Sequence, residues 1–129
     1  MRRFVVAFLI VVGLGASGLQ ASAQVLRQFP ANALRGVIEF GEHPVVALNG
    51  EAARLAPGAR IRGPNNMLVL PSALIGQRFA VNYTLDPNVH LRDVWILTAE
   101  EYAVKPWPTT PQETAQWEFD PAAQTWTKR

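Results

Sequence analysis

The sequence predicts a mostly β protein: a small antiparallel barrel of five or six strands with a Pro- and Trp-rich C-terminal extension. Short apolar runs recur at intervals of roughly ten residues. The stretches between them are built from Gly, Pro and Asn, which supply fixed or left-handed backbone angles to turns. Nowhere do strands alternate with helical segments as a parallel α/β sheet requires.

The chain begins with Arg2 and Arg3, an apolar run from Phe4 to Val12, then Gly13, Gly15 and Gly18, and Ala21-Ser22-Ala23. A positive end, an apolar middle and a small-x-small site make residues 1–23 a secretory signal peptide, with cleavage expected after Ala23. A membrane anchor needs about 20 apolar residues, and this run is shorter and interrupted by glycines. Twin-arginine export normally has polar residues ahead of the pair, which are missing here. A periplasmic or secreted protein is therefore expected, with no transmembrane span after cleavage. With 0 Cys, lipoprotein anchoring, disulfides, thiol catalysis and thiolate metal sites are excluded.

Of 12 basic residues two leave with the leader, so ten face 10 acidic residues and the mature net charge is zero. The basic balance of the precursor is no argument for nucleic acid, which is not the expected partner. Residues 24–92 hold seven arginines against four acids, and residues 93–129 hold three basic groups against six acids. A mildly basic body thus precedes an acidic tail.

Residues 24–32 read as an extended lead-in, and residues 33–98 as the barrel. Leu34 to Phe40 alternates, with Leu34, Gly36, Ile38 and Phe40 on one face and Arg35, Val37 and Glu39 on the other. Val45 to Leu48 and Glu51 to Leu55 flank Asn49-Gly50, the strongest hairpin signal in the chain. A type I′ turn there sets Leu48 opposite Glu51 and Val46 opposite Ala53. Pro57-Gly58 is expected to turn the chain into a separate strand, Ala59 to Arg62. Met67 to Leu70 lacks polar alternation, which predicts a strand covered on both faces. Arg78 to Thr84 points Phe79, Val81 and Tyr83 inward and Arg78, Ala80, Asn82 and Thr84 outward. His90 to Leu97 is the last barrel strand.

In residues 99–129, Thr98 and Glu101 form a capping box for a short helix. Pro106 to Pro111 reads as an extended linker, and Trp117-Glu118-Phe119 with Thr125-Trp126-Thr127 as a terminal hairpin. An isolated hairpin is marginal in water, so it is either docked on the barrel or disordered. Strand signals end at Leu97, and the barrel is expected to fold without the tail.

No HExxH or other metal-ligand spacing involves His43 or His90, and no nucleophile, phosphate-loop or dinucleotide motif is present. No cofactor is implied. The acidic pairs Glu39 with Glu42, Asp86 with Asp93, and Glu100 with Glu101 leave a small hydrolase as the third reading. More informative are Arg60, Arg62, Arg78 and Arg92, with Tyr83 and Trp95 near them. They read either as a solvated outer face or as a face for an anionic glycan, lipid headgroup or nucleic acid strand. Trp117, Phe119, Trp107 and Trp126 load the tail with aromatics suited to an envelope partner or to the protein's own barrel.

Leu34-Arg35-Gly36-Val37-Ile38, Leu48-Asn49-Gly50, Arg54-Leu55-Ala56-Pro57-Gly58-Ala59-Arg60-Ile61, Leu74-Ile75-Gly76-Gln77 and Val94-Trp95-Ile96-Leu97-Thr98 resemble uncharacterised small exported proteins of Gram-negative bacteria with an OB-like barrel. The resemblance covers about residues 33–98. It implies an OB-like fold and carries no catalytic residue, and the barrel is expected to be OB-like or SH3-like. Function is expected to be non-enzymatic: a binding or structural interaction module of the cell envelope, or, as the alternative, direct recognition of an anionic ligand.

Overall fold

A computed structural model of the protein describes residues 27–129. The expected signal peptide, residues 1–23, and the first residues of the lead-in lie outside the described residues. Among the described residues no helix is long and apolar enough to cross a membrane.

Turn chemistry sets the first hairpin. Asn49 and Gly50, with φ of 54° and 84°, join β2 (Val45–Leu48) to β3 (Glu51–Arg62) in the expected register. The Asn49 side chain also accepts the Val37 N–H at 2.9 Å. It lies so close to β1 (Leu34–Phe40) that a Cβ on Gly36 would stand 3.1 Å from it. Only glycine admits that approach without a shift.

β1 pairs with β2 and with β4 (Arg78–Leu85), and β4 pairs with β5 (Leu91–Ile96). The barrel closes in the order β1-β2-β3-β5-β4. One seam departs from the expected antiparallel pattern: β3 and β5 are parallel. The chain crosses the barrel end between β3 and β4, so β5 returns alongside β3 in the same direction. The result is a closed five-stranded barrel of mixed strand direction.

Two expected boundaries move. Pro57-Gly58 bends one continuous strand instead of separating two. Pro57 cannot donate to a ladder and Gly58 takes φ of 77°, so the register slips between Leu55 and Arg60 and β3 passes from β2 to β5 without reversing. Met67 to Leu70 is not a covered strand. It makes a single bridge, Leu68 to Arg62, and Met67, Leu68 and Leu70 are 65%, 63% and 73% exposed. Pro71 ends the run by opening a 3-10 turn, Pro71–Leu74, whose Leu74 joins the core instead.

The interior is filled by Leu34, Ile38, Phe40, Val46, Leu55 and Ile61, and from β4 and β5 by Val81, Tyr83, Leu91, Val94 and Ile96. Asn82 and Thr84, expected to face solvent, are buried as well. Thr84 bonds to Asp93, and Asn82 stands opposite Trp95 at the border of a second core outside the barrel, where Phe29, Ala33, Leu97, Trp107 and Trp126 pack with Trp95, Trp117 and Phe119 around them. Lead-in and tail meet there: the Phe29 N–H donates to Gln124 Oε1 at 2.9 Å, and Trp107 Nε1 to the Ala33 carbonyl at 3.0 Å.

The capping box holds α1 (Ala99–Tyr102), Thr98 and Glu101 exchanging bonds of 3.1 and 3.0 Å. The expected linker ends in a helix, α2 (Pro111–Gln116), capped by Thr110. Proline at the first helical position is a start signal, because its missing N–H would have no helical partner there. β6 (Glu118–Asp120) and β7 (Thr125–Thr127) pair as a hairpin, Phe119 opposite Trp126, and the hairpin is docked.

Candidate functional site

Arg35 lies on the outward face of β1, yet it is only 8% exposed. α1 explains why. Its last turn contains no basic residue, so its terminal carbonyls need donors from elsewhere. Arg35 Nη1 donates to the Val104 carbonyl at 2.9 Å and to that of Tyr102 at 3.3 Å, and Nη2 to that of Glu101 at 3.3 Å. Nε donates to Asn82 Oδ1 at 2.9 Å. The guanidinium lies 4.9 Å from the Trp107 ring centroid and 5.8 Å from that of Tyr102. Burial pulls its pKa down to about 10, with Tyr102 and Glu101 opposing the drop, so it is cationic at neutral pH. Among the described residues no carboxylate lies within ion-pair distance of it.

A cleft of about 310 Å³ opens over this guanidinium, walled by Tyr102, Trp107 and Trp117 and edged by Lys105, Lys128 and Glu113. Lys105 Nζ sits 4.5 Å from the Tyr102 ring and Lys128 Nζ 5.1 Å from that of Trp117, each held over an aromatic face by the ring quadrupole. Three cations thus face one carboxylate. Glu113 is committed locally: the Thr109 N–H at 2.8 Å, with further bonds from the Thr109 hydroxyl and the Thr110 N–H, holds it below the usual carboxylate range. The lining of the cleft is thus net positive, with Lys128 also contributing to the lowered pKa of Glu113.

The four arginines singled out in the sequence do not converge on one point. Arg60 and Arg62 stand on β3 opposite Asp93 and Trp95 of β5, and Arg92 is exposed on β5. Arg78 stands at the β1–β4 seam, 3.2 Å from Glu39 in an exposed pair of little energetic weight. Tyr83 is inside the barrel, away from any outer face, where burial pushes its phenol pKa up. Trp95 is half-buried and meets Phe29 edge to face, centroids 5.4 Å apart. Of the tail aromatics, Trp107 and Trp126 are buried and Phe119 stacks on Trp126 at 4.7 Å. Trp117 borders the cleft.

The acidic pairs are split among separate roles. Asp86 accepts the N–H groups of Asn88 and His90, Asp93 bonds to Thr84, and Glu101 to Arg27. His43 is exposed in the β1–β2 connection. Arg35, Tyr102, Lys105 and Lys128 escaped the sequence reading. One signal pointed toward Arg35: a capped helix with no basic residue in its last turn requires a remote donor.

Barrel, docked tail and cleft together define a small β-barrel protein with a basic, aromatic-walled cleft. Neither a protein-family model nor a curated protein nor a solved structure matches the chain.

Proposed function

We propose that the protein is a non-enzymatic binding module of the cell envelope and that its ligand presents an anionic group to the cleft over Arg35. The observation that carries this reading is a buried guanidinium without a carboxylate partner, flanked by Lys105 and Lys128. A charge held in a desolvated setting attracts its counterpart more strongly than one in water, and the aromatic walls favour a ligand with an apolar or sugar face. The envelope assignment rests on the leader and its small-x-small site.

Glucuronic acid, inorganic phosphate and neutral glucose, followed through intrinsic tryptophan fluorescence with Trp117→Phe as the control, test the proposal. The two anions are expected to bind and glucose not. Replacing Lys105→Gln and Lys128→Gln together is expected to weaken binding about tenfold or more, since a charged hydrogen bond contributes more than 1.4 kcal/mol. Arg60→Gln with Arg62→Gln is expected to leave it unchanged. Equal binding of glucose, equal binding by the double lysine variant, or loss in the arginine variant would overturn the assignment.

A further inference from the structure

Beside β3, on the side away from β5, the barrel wall has an open edge. β2 ends its pairing with β3 at Arg54, and beyond the bend the segment around Leu68 takes over. The Gly63 N–H donates to the Met67 carbonyl at 2.9 Å and the Val69 N–H to the Ile61 carbonyl at 2.8 Å. These bonds flank the bridge between Arg62 and Leu68, making it a non-hydrogen-bonded antiparallel pair. In such a pair each residue's own N–H and C=O point away from its partner strand. Leu68 therefore aims both groups outward, and neither has a partner among the described residues.

The edge is also apolar, since Met67, Leu68 and Leu70 are exposed along it. Natural sheets usually protect such an edge with charges, bulges or a covering segment. Here the charges stand one strand back. Cross-strand partners share a face, so Arg62 lies beside Leu68 on the outer surface, with Arg60 two residues before it. Arg62 leans toward the edge, its Nη1 donating to the Asn66 carbonyl at 3.3 Å. Neither arginine has a carboxylate within ion-pair distance among the described residues. A second copy brought to this edge would set two further arginines against these. An extended segment alternating apolar and acidic residues meets both features, with backbone bonds to Leu68 and carboxylates within reach of Arg60 and Arg62.

We infer that this edge accepts such a segment of a partner protein as an added strand. The site is separate from the cleft over Arg35 and does not depend on the reading given to it.

The probe is an eight-residue peptide of alternating valine and glutamate, with a valine–lysine peptide as its counterpart. Each is titrated to about 1 mM, the weak end of measurable affinity, into the isotopically labelled full chain. The acidic peptide is expected to shift and protect the Leu68 amide, and the basic one to do neither. Leu68→Pro, which removes the donor, and Leu68→Asp, which keeps the backbone but repels the peptide, are each expected to weaken binding about tenfold or more. Arg60→Gln with Arg62→Gln is expected to do the same, whereas Lys105→Gln with Lys128→Gln is expected to have no effect. The inference fails if the Leu68 amide stays unchanged at the highest peptide concentration, or if the basic peptide binds equally. It fails too if sedimentation shows a self-associated species that Leu68→Asp disperses, which would give the edge to a second copy.

Discussion

Glu101 is where three segments of the chain converge. Its carboxylate accepts from Arg27 Nε at 2.8 Å and Nη2 at 2.6 Å, and from the Thr98 N–H at 3.0 Å, while the residue is 4% exposed. Burial by itself would raise its pKa. The bonds from Arg27 and Thr98 outweigh that and hold it below the ordinary carboxylate value. A depressed folded-state pKa means that the stabilisation is fully present above the unfolded value of about 4.3 and is lost as pH falls through the folded one. At pH 7, Glu101→Gln is expected to cost about 3 kcal/mol, because it leaves Arg27 nearly buried and unpaired. Urea unfolding of both proteins at pH 7 and again near pH 3 checks this, with the gap between them expected to shrink in acid. An unchanged gap would assign the effect to packing. Arg27 lies in the stretch read as a periodless lead-in. Nothing local marks its partner, 74 positions away, so this pair was not legible in the sequence.

At the scale of elements, the features legible in the sequence are those specified within a few residues. Asn49-Gly50 sets both turn angles and register, and Thr98 with Glu101 closes its box in one helical turn. Trp117 to Thr127 carries its hairpin in its own alternation. Thr98→Ala is expected to cost about 1 kcal/mol through loss of the cap, and Gly50→Ala a similar amount through its φ of 84°. Thermal melts of the two variants measure both. What period-two reasoning missed is the layer outside the barrel. Arg35 and Asn82 do point outward from their strands, but tail and α1 cover that side. Met67 to Leu70 shows the converse: an apolar run without alternation predicts burial, but Pro71 cuts it short and leaves it at an edge.

For the whole molecule, the second core decides whether barrel and tail are separable. Phe29 contacts Trp95 from the barrel and Trp107 from the tail, with centroids 5.4 and 5.9 Å apart. The Arg35 N–H donates to the carbonyl of Pro108 at 2.8 Å. Cutting the chain after Lys105 removes Trp107, Trp126 and Gln124, uncovering Phe29 and Trp95. Loss of one buried Trp alone costs about 3 to 5 kcal/mol, against a total of roughly 5 to 15 for a domain. The truncated chain is therefore expected to aggregate or to lose its cooperative transition, as size exclusion and near-ultraviolet circular dichroism would reveal. A monomer with an intact two-state melt would restore the barrel as a self-sufficient unit, the expectation raised by the end of strand signals at Leu97.

The bond between Phe29 and Gln124 spans 95 positions, and it has a consequence in time as well as in space. A ribosome delivers residues 107 to 126 after every strand of the barrel. Until they arrive, a growing chain holds Phe29 and Trp95 without their aromatic cover, and long-range contacts of this kind close late because their loop entropy must be overcome first. A chain whose synthesis stalls before Trp107 has all its barrel strands and still displays the exposed apolar surface that proteases and chaperones recognise. Burial of Phe29 thus marks a chain that has been made at least as far as Trp126.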